Sequence, residues 1–406
     1  MIRRLLAALA LVAAPAAAQE TPAPPASVVV AFDRETIRPL IVEGLASKET
    51  GRKLEANDPV RIASISKLIM ALTALRLADE GKVDLDRDVS DYLGWKVRSP
   101  YFPDVPVTLG QLMSHRAALS GTADYIIPLG ESLEAKFADP ASWREGVRPG
   151  GRNDPLRRPD PLEFLYSNLG APLVATVLEA ASGERYDRLV ERLVFAPLGV
   201  KACLNWIGCD ADMAARAVTL YRDTGEVAKD GPADLPPACT IPVAEGQACD
   251  LDAYVPGTNA SIFSPQGGVR IGMMDLAKIG QAILFKDGYW PASADNVLND
   301  VTERGETKGQ EFFCHYWMGV QYINRFPGRC KDGLFDRTDV PETDAVGHSG
   351  EAYGLQSGLW LLAGGETGLV YFTTQVPPPA GGEDTGGFTD REKALMARAS
   401  MVPFDK

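Results

Sequence analysis

Along this chain the spacing of apolar residues is first typical of strands, then of helices, and near the end of strands again. SVVVAF and RPLIVEGLAS are short β-branched or apolar runs separated by DRET, a pattern that predicts a β-hairpin. The next segment, SISKLIMALTALRLADEGKVDL, has a hydroxyl-rich start, apolar residues at helical spacing and a stop at Gly81. It is the clearest helix prediction in the chain.

Helical patterns dominate from about residue 105 to 300, and strand patterns return after residue 312. The helical stretches are TLGQLMSH, LGAPLVATVLEAAS, YDRLVERLVFAPLG and MMDLAKIGQAILF. The later strands are HYWMGVQYI, GLQSGLWLLA and TGLVYFTTQV, followed by a final helix around DREKALMARASM. Strands at both ends with helices between predict an α+β fold: one sheet built from the two termini, with an inserted and mostly helical lobe at about residues 85–300.

The first 18 residues, MIRRLLAALALVAAPAAA, have the layout of a secretory signal peptide. The apolar run is short and rich in alanine, although an N-terminal anchor or a core helix is the alternative interpretation. QETPAPPAS at residues 19–27 predicts a flexible tether, and residues 28–406 are expected to form a single domain. We therefore expect an exported protein, periplasmic or secreted, with no integral membrane segment in the mature chain.

The composition is that of an ordinary globular protein with an acidic surface. Of 406 residues, 45% are hydrophobic and 23% are charged, and the formal net charge is −13. This sign argues against nucleic acid and anionic membranes as partners, but it says little about a small substrate. The oligomeric state is left open, with a monomer as the default.

All six cysteines lie in the second half of the chain, and an even number in an exported protein favours disulfides. Fifteen pairings exist in principle, and the spacing in three close couples favours sequential pairing. The favoured pairs are Cys203 with Cys209, Cys239 with Cys249, and Cys314 with Cys330. A metal site is the weaker alternative, because the chain has only three histidines and lacks paired cysteine spacings of the zinc type, so no cofactor or metal is expected.

The stretch RIASISKLIM contains the candidate chemistry. Ser64 precedes Lys67 by three residues, so on a helix the hydroxyl and the amine share a face. A buried lysine loses its proton more readily, and its amine can then accept the proton of a serine nucleophile. The alternative interpretation is a helix-capping Ser64 with Lys67 in solvent, because a Ser-x-x-Lys spacing alone occurs by chance about once in a chain of this length.

Two further motifs favour the catalytic interpretation of Ser64 and Lys67. FLYSNLG contains Tyr166-Ser167-Asn168 just ahead of a predicted helix, and GHSGEAYG contains His348-Ser349-Gly350 at the start of a predicted strand. A Ser-x-x-Lys motif followed by two such motifs is the signature of serine β-lactamases and penicillin-binding proteins. The chain resembles the serine β-lactamase superfamily, in its branch of class C β-lactamases, D-alanyl-D-alanine carboxypeptidases, D-aminopeptidases and esterases. The resemblance implies a β-lactamase/transpeptidase-like fold and extends over most of the mature chain.

The resemblance also implies roles for the motif residues. Ser64 is expected to be the acylated nucleophile and Lys67 its base, with Tyr166 as a second proton-transfer group. Asn168 is expected to hold Lys67 or a substrate amide. For each residue a purely structural role, such as a helix cap or a half-buried aromatic ring, is the alternative.

The third motif is expected to bind substrate through His348, Ser349, Gly350 and Glu351. Gly350 lets the strand approach closely, and the backbone N–H of Glu351 is expected to complete an oxyanion hole with that of Ser64. His348 stands where lactamases usually carry lysine, and its imidazole can switch charge near neutral pH. It is expected to bind a substrate carboxylate when protonated or to donate a hydrogen bond when neutral. A lone surface histidine is the alternative.

The expected function is an exported serine hydrolase that acts through an acyl-enzyme on an amide or ester. A D-amino-acid peptide is the favoured substrate, of D,D-carboxypeptidase or D-aminopeptidase type. A β-lactamase, a carboxylesterase, a slow penicillin-binding sensor and a purely structural exported domain are the alternatives. A loop with arginines at 144, 148, 152, 157 and 158 is expected either to attract a substrate carboxylate or, more simply, to be solvated and paired with nearby acids.

Overall fold

The computed structural model describes residues 23–150, 164–232, 250–285, 307, 313–323, 330–335, 344–362, 366–377 and 387–401. Within these residues the strands are β1 (Ser27–Phe32), β2 (Ile37–Glu43), β3 (Leu45–Ser47), β4 (Arg52–Lys53), β5 (Val60–Arg61), β6 (Ala202–Leu204), β7 (Val269–Ile271), β8 (His315–Trp317), β9 (Val320–Ile323), β10 (Ala345–Ala352), β11 (Leu355–Leu362) and β12 (Gly368–Thr373). The α-helices are α1 (Ser66–Asp79), α2 (Ser90–Leu93), α3 (Leu109–Met113), α4 (Leu133–Ala138), α5 (Gly170–Ser182), α6 (Tyr186–Val190), α7 (Ala211–Ala215), α8 (Met273–Phe285) and α9 (Asp390–Ser400).

The main sheet joins the two ends of the chain, as predicted. Its seven strands have the order β2-β1-β12-β11-β10-β9-β8, and neighbouring strands pair antiparallel. β1 is buried along its whole length, because β12 and β2 flank it and α8 covers it. The fold is therefore the mixed α and β arrangement expected from the sequence, with strands from both termini in one antiparallel sheet.

The predicted long helix is α1, which ends at Asp79, two residues before Gly81. Nearly all of its side chains are buried, because the main sheet lies on one side and α5 and α6 on the other. It starts at Ser66, two residues after the predicted start. A 3₁₀ turn, Ala63–Ile65, takes the first positions and runs straight into the helix.

A second, small sheet was not predicted, and it lies directly beside the 3₁₀ turn. It has three strands in the order β5-β7-β6. Arg61 pairs with Arg270, and Cys203 pairs with the same residue from the other side. Two- and three-residue strands give no periodic signal, so only the folded chain reveals this connection.

Two of the three predicted disulfides are present, Cys203–Cys209 and Cys314–Cys330. The predicted pair Cys239–Cys249 lies outside the described residues, as does the predicted signal peptide. β1 begins at Ser27, the last residue of the predicted tether, so the sheet starts one residue before the predicted start of the domain. Among the helices that the structure describes, none is long and apolar enough to cross a membrane.

Candidate active site

Ser64 lies within the 3₁₀ turn, and its half-buried side chain lines a cavity. Lys67 follows one turn later on α1 and is 2% exposed. Its Nζ donates a hydrogen bond to Ser64 Oγ over 3.1 Å, as the shared helix face allows. Ala63, just before Ser64, has a φ of 47°, in the left-handed region that non-glycine residues seldom adopt. The serine is therefore presented from a locally strained turn.

The amine of Lys67 contacts oxygen atoms that carry no full charge. Nζ donates to Asn168 Oδ1 at 2.8 Å and to the backbone oxygen of Gln266 at 2.9 Å, besides Ser64. The ring of Tyr166 lies 4.9 Å from Nζ. With burial unopposed by a neighbouring carboxylate, the pKa of Lys67 falls from 10.5 to about 7. A neutral amine bonded to the two carbonyl oxygens through its N–H groups directs its lone pair toward Ser64.

The segment Tyr166-Ser167-Asn168 is held in place by His115. The backbone N–H of Ser167 donates to His115 Nδ1 at 3.2 Å, and the Ser167 hydroxyl donates to the backbone oxygen of Ser120 at 2.8 Å. The rings of His115 and Tyr166 lie 4.2 Å apart, centre to centre. Burial lowers the pKa of His115 well below its usual value, so the imidazole stays neutral and its Nδ1 can accept. These contacts give His115 a structural role.

Gly350 lies against the segment that carries the nucleophile. A Cβ atom at this position would stand 2.4 Å from the backbone oxygen of Ile62 and 2.5 Å from the hydroxyl oxygen of Ser357. At Gly350, therefore, β10 closely approaches the protein's own backbone at Ile62, whereas the sequence predicted a close approach to substrate. β10 can lie directly on the Ile62–Ala63 segment only because residue 350 has no side chain.

The backbone of β10 also directs one N–H group toward the cavity. The N–H of Ser349 points away from β11, since it donates to Gln321 Oε1 at 2.9 Å. Backbone N–H groups alternate along a strand, so the N–H of Glu351 points to the same side. Among the described residues, β9 pairs with β10 only at residues 345–347. Glu351 itself is exposed and lines the cavity.

His348 is fully buried, which corrects the charge switch expected from the sequence. Its Nδ1 lies 2.6 Å from the backbone oxygen of Ser349, and its Nε2 lies 3.3 Å from the hydroxyl of Tyr316. The tautomer that satisfies both contacts donates from Nδ1 and accepts at Nε2. Burial, followed by the charge of Lys67, lowers the pKa of His348 to about 3. The ring is therefore neutral near pH 7, the second of the two states that the sequence analysis considered.

The cavity beside Ser64 has a volume of about 260 Å³. Of the eight predicted site residues, Ser64, Asn168 and Glu351 line it. The side chains of Lys67 and His348 are buried behind this wall, and Tyr166 is half-buried. The volume is slightly below the roughly 300–1,000 Å³ of sites for drug-sized ligands.

One wall carries a cluster of charges that the sequence did not indicate. The Arg61 guanidinium pairs with Asp230, and Arg270, buried behind it, donates to the same carboxylate at 2.9 Å. Burial and the repulsion of Arg61 lower the pKa of Arg270 to about 9. Two guanidinium groups thus share one carboxylate. Lys229, exposed at the cavity, adds a further positive charge.

Several cavity residues were missed by the sequence analysis, among them Arg61, Asn205, Lys229, Asp230 and Gln266. Gln266 lies in SPQGGVRIG, just ahead of the predicted helix MMDLAKIGQAILF, and Asn205 lies inside the predicted Cys203–Cys209 pair. Both signals were present in the sequence. The positions of Lys229 and Asp230 follow from tertiary packing, for which the local sequence has no signature.

The structure also shows where Trp143, Tyr125 and two arginines of the arginine-rich loop lie. Trp143 is buried and its Nε1 donates to the backbone oxygen of Phe137, so it is a core residue, whereas Tyr125 lines the cavity. Arg144 and Arg148 do not line the cavity, and the other arginines of that loop lie outside the described residues.

Within the described part, the one cluster of metal-ligand types also contains a disulfide. It consists of Cys314, Cys330 and Asp332, and the two cysteines are bonded to each other. Disulfide-bonded sulfur atoms are not thiolate ligands. The cluster is therefore a structural feature of this form of the chain.

Comparisons with known proteins agree with the geometry. The family model described as beta-lactamase matches residues 14–389. The D-alanyl-D-alanine-carboxypeptidase/endopeptidase AmpH of Escherichia coli is 31% identical over 147 residues, 35% of this chain and 35% of that protein. Esterase EstB of Burkholderia gladioli is 27% identical over 295 residues, 68% of this chain and 71% of that protein. The alignment thus spans about a third of the length of the E. coli relative.

Solved structures share the fold at low sequence identity. A class C beta lactamase from Rhodobacter sphaeroides has a TM-score of 0.61 and 16% identity, with 93% of each chain covered. A D-stereospecific amidohydrolase from Streptomyces has a TM-score of 0.59 and 20% identity, with 92% of this chain and 93% of that chain covered. At these identities the likeness concerns the fold alone.

Proposed function

The chain belongs to the β-lactamase family of serine hydrolases, and from that premise we propose that it hydrolyses an amide or ester through an acyl-enzyme on Ser64. One observation carries the proposal: the Lys67 amine lies 3.1 Å from Ser64 Oγ with its pKa lowered to about 7. A base is most effective when its pKa lies near the working pH. At neutral pH, therefore, a large fraction of Lys67 is ready to accept the serine proton.

In the acylation step, Ser64 Oγ attacks the substrate carbonyl carbon while its proton passes to Lys67. The carbonyl oxygen becomes an oxyanion, which the backbone N–H groups of Ser64 and Glu351 stabilise. The first N–H groups of a helical turn have no partner within the turn, and the N–H of Glu351 points away from β11, to the same side as that of Ser349. The carbonyl then re-forms, the bond to the leaving group breaks, and the leaving group takes up the proton.

In the deacylation step, a water molecule attacks the ester carbon of the acyl-enzyme. Its proton passes to the base, the carboxylic acid product leaves, and Ser64 Oγ regains its proton. Tyr166, whose ring centre lies 4.9 Å from Lys67 Nζ, is the second proton-transfer group in this proposal. Asn168 fixes the direction of the amine through its Oδ1.

The favoured substrate class is a D-amino-acid peptide. One observation supports it: a D-alanyl-D-alanine-carboxypeptidase/endopeptidase is among the relatives. The esterase relative favours a carboxylic ester as the second candidate. His348, neutral and buried, acts in this proposal as a packing and hydrogen-bonding group beneath the site. The substrate-binding surface of the third motif is then the backbone around Gly350 and the side chain of Glu351.

The test combines covalent labelling with a substrate panel. Ser64→Ala should lose labelling by a fluorophosphonate and all turnover, with an unchanged melting temperature. Ser182→Ala, at the end of α5, is the matched control and should behave like the wild type. The panel consists of a D-alanyl-D-alanine peptide, a D-amino-acid amide, nitrocefin and a short-chain ester. Full turnover by Ser64→Ala would refute the proposal, and a stable penicillin adduct without turnover would favour the slow sensor.

We also propose that the protein is exported. The two described disulfides fit an oxidising compartment outside the cytoplasm, and the predicted signal peptide fits the same route. Mass spectrometry of the protein from its native host should find a mature N-terminus near Gln19. An intact Met1 on the functional protein would contradict export by this route.

A further inference from the structure

Asn205 enters the cavity from a loop with a fixed conformation. It follows β6 inside the loop closed by Cys203–Cys209, and Asn205 and Trp206 have φ values of 54° and 64°. Asparagine visits this left-handed region more readily than most residues, but tryptophan rarely does. The indole Nε1 of Trp206 donates to the backbone oxygen of Asp230 at 2.7 Å, which ties the loop to the cavity wall.

The side chain of Asn205 presents an acceptor to the cavity. Its Nδ2 donates to the backbone oxygen of Ile262 at 3.2 Å, which fixes the orientation of the carboxamide. Among the described residues, Oδ1 accepts no hydrogen bond. Asn205 is only 3% exposed, but its Oδ1 is not fully enclosed by protein atoms, because the residue lines the cavity. A nearly buried, oriented acceptor is thus directed at the space beside Ser64.

Asn168 provides the complementary donor in the same cavity. Its Oδ1 accepts from Lys67, so its orientation is also fixed. Its Nδ2 has no partner among the described residues, and Asn168 lines the cavity. The two carboxamides therefore offer one donor and one acceptor. A secondary amide, with one C=O and one N–H, has the matching pair of groups.

The small sheet sets the distance between Asn205 and the nucleophile segment. The N–H of Ile62 donates to the backbone oxygen of Val269, and the N–H of Asn205 donates to that of Gly268. Ile62 and Asn205 thus lie on opposite sides of the same chain segment, roughly two strand spacings or 10 Å apart. An extended chain covers about 3.5 Å per residue, and the hydrogen bond takes up about 3 Å. With the backbone at Ile62 taken as the position of the nucleophile segment, the matching donor is about two residues from the scissile carbonyl.

The charges of the wall favour a neutral donor over an ammonium group. Arg61 and Arg270 share the single carboxylate of Asp230. Lys229 forms no ion pair with any residue in the described ranges. Asp230 and the exposed Glu351 supply two carboxylates against these three cations, so a substrate ammonium would still face a net positive charge in a partly desolvated site. An amide N–H meets no such repulsion.

We propose that Asn205 is the acceptor for an amide N–H in the acyl part of the substrate, so that the site selects peptidyl or N-acylated substrates over those with a plain alkyl or free amino acyl part. The inference rests on the proposed acyl-enzyme function and narrows its substrate class. A site built around a hydrogen bond discriminates against a substrate that lacks the donor, because its buried polar group is left unpaired.

The experiment uses the full chain and pairs of thioesters with the same thiol leaving group. In each pair, one amide N–H of the acyl part is replaced by an ester oxygen. N-acetyl-D-alanyl and O-acetyl-D-lactyl thioesters place the difference one residue from the scissile carbonyl. N-acetylglycyl-D-lactyl and O-acetylglycolyl-D-lactyl thioesters place it two residues away. A D-alanyl thioester with a free amine completes the set, and kcat/KM is measured for each.

We expect wild type to prefer the N–H member of the second pair by roughly ten- to hundredfold in kcat/KM. Asn205→Gly should abolish this preference without backbone strain, since glycine accepts a positive φ. Asn205→Asp keeps an acceptor but loses the donor to the backbone oxygen of Ile262, so it should retain part of the preference. Asn205→Ser is the second variant that removes the carboxamide, should the glycine variant fold poorly.

Equal rates for the N–H and oxygen members with wild type would overturn the inference. So would a preference that survives in Asn205→Gly, or a stronger reaction with the free amine. Ser64-dependent hydrolysis in those cases would leave the proposed function standing. Failure of the proposed function looks different: no thioester is turned over and no fluorophosphonate adduct forms at Ser64.

Discussion

The substitution Asn168→Asp tests whether the absence of a neighbouring negative charge is what makes Lys67 a base. It replaces the neutral oxygen 2.8 Å from Nζ by a carboxylate of nearly the same shape. Two unit charges about 4 Å apart at an effective dielectric of about 20 attract by about 4 kcal/mol. Since one pKa unit corresponds to about 1.36 kcal/mol, the pKa of Lys67 should rise by roughly three units. Its wild-type value is about 7.

The assay is the pH dependence of inactivation by a small fluorophosphonate, which depends little on substrate contacts. For wild type, the rate constant should rise with pH and level off above about 7, as Lys67 loses its proton. For Asn168→Asp, the midpoint should move to about 10, with a roughly thousandfold lower rate at pH 7 that recovers as the pH rises.

Asn168→Ala is the control, because it removes the same hydrogen bond without adding charge. It should lower the rate by a factor that does not depend on pH, with the midpoint still near 7. An unchanged midpoint in Asn168→Asp would refute the reasoning. The same holds for a rate that does not recover at high pH.

Two other predictions concern the third motif. The unfolded chain protonates His348 below about pH 6.5 and the folded chain only near pH 3, so stability should be lost as the pH falls below 6.5. His348→Gln should therefore reduce the loss of unfolding free energy between pH 7.5 and 5 by about 2 kcal/mol, measured by urea denaturation; an equal loss in both proteins would contradict the buried neutral ring. Gly350→Ala would bring a methyl group to 2.4 Å from the backbone oxygen of Ile62. It should lower the unfolding free energy by about 1–3 kcal/mol and kcat/KM by roughly a hundredfold or more, whereas Gly170→Ala, with only an ordinary contact at 3.5 Å, should be tolerated. Wild-type kinetics in Gly350→Ala would show that β10 does not set the position of the oxyanion donor.

The parts of the fold that the sequence predicted are those with long, regular patterns. α1 has apolar residues over 14 positions, and β1, β11 and β12 are apolar runs of six to eight residues. The small sheet is different, because β5 has two residues and β6 and β7 have three each. Such strands exist only because long-range packing brings them together, so no periodic signal marks them.

The same distinction holds for the site. The Ser64–Lys67 contact depends on a spacing within one helical turn, which the sequence displays directly. The state of His348 depends on Tyr316, on burial and on the charge of Lys67, which lie far away along the chain. The sequence alone does not distinguish a buried, neutral histidine from one that titrates near neutral pH. Asn205 likewise belongs to the site because tertiary packing places the loop after β6 beside the cavity, and the local sequence does not show this packing.

The contact between β10 and the nucleophile segment has a consequence for when the protein becomes active during its synthesis. Ser357, on β11 beside Gly350, donates from its hydroxyl to the backbone oxygen of Ile62 at 3.1 Å, across 295 positions of sequence. A nascent chain released up to β9 already contains Ser64 and Lys67, but not the strand that positions the second oxyanion donor. Contacts of such long sequence separation form slowly, because their loop closure is entropically unfavourable. Acyl transfer should thus be among the last properties to appear on refolding, and its recovery reports closure of the whole sheet.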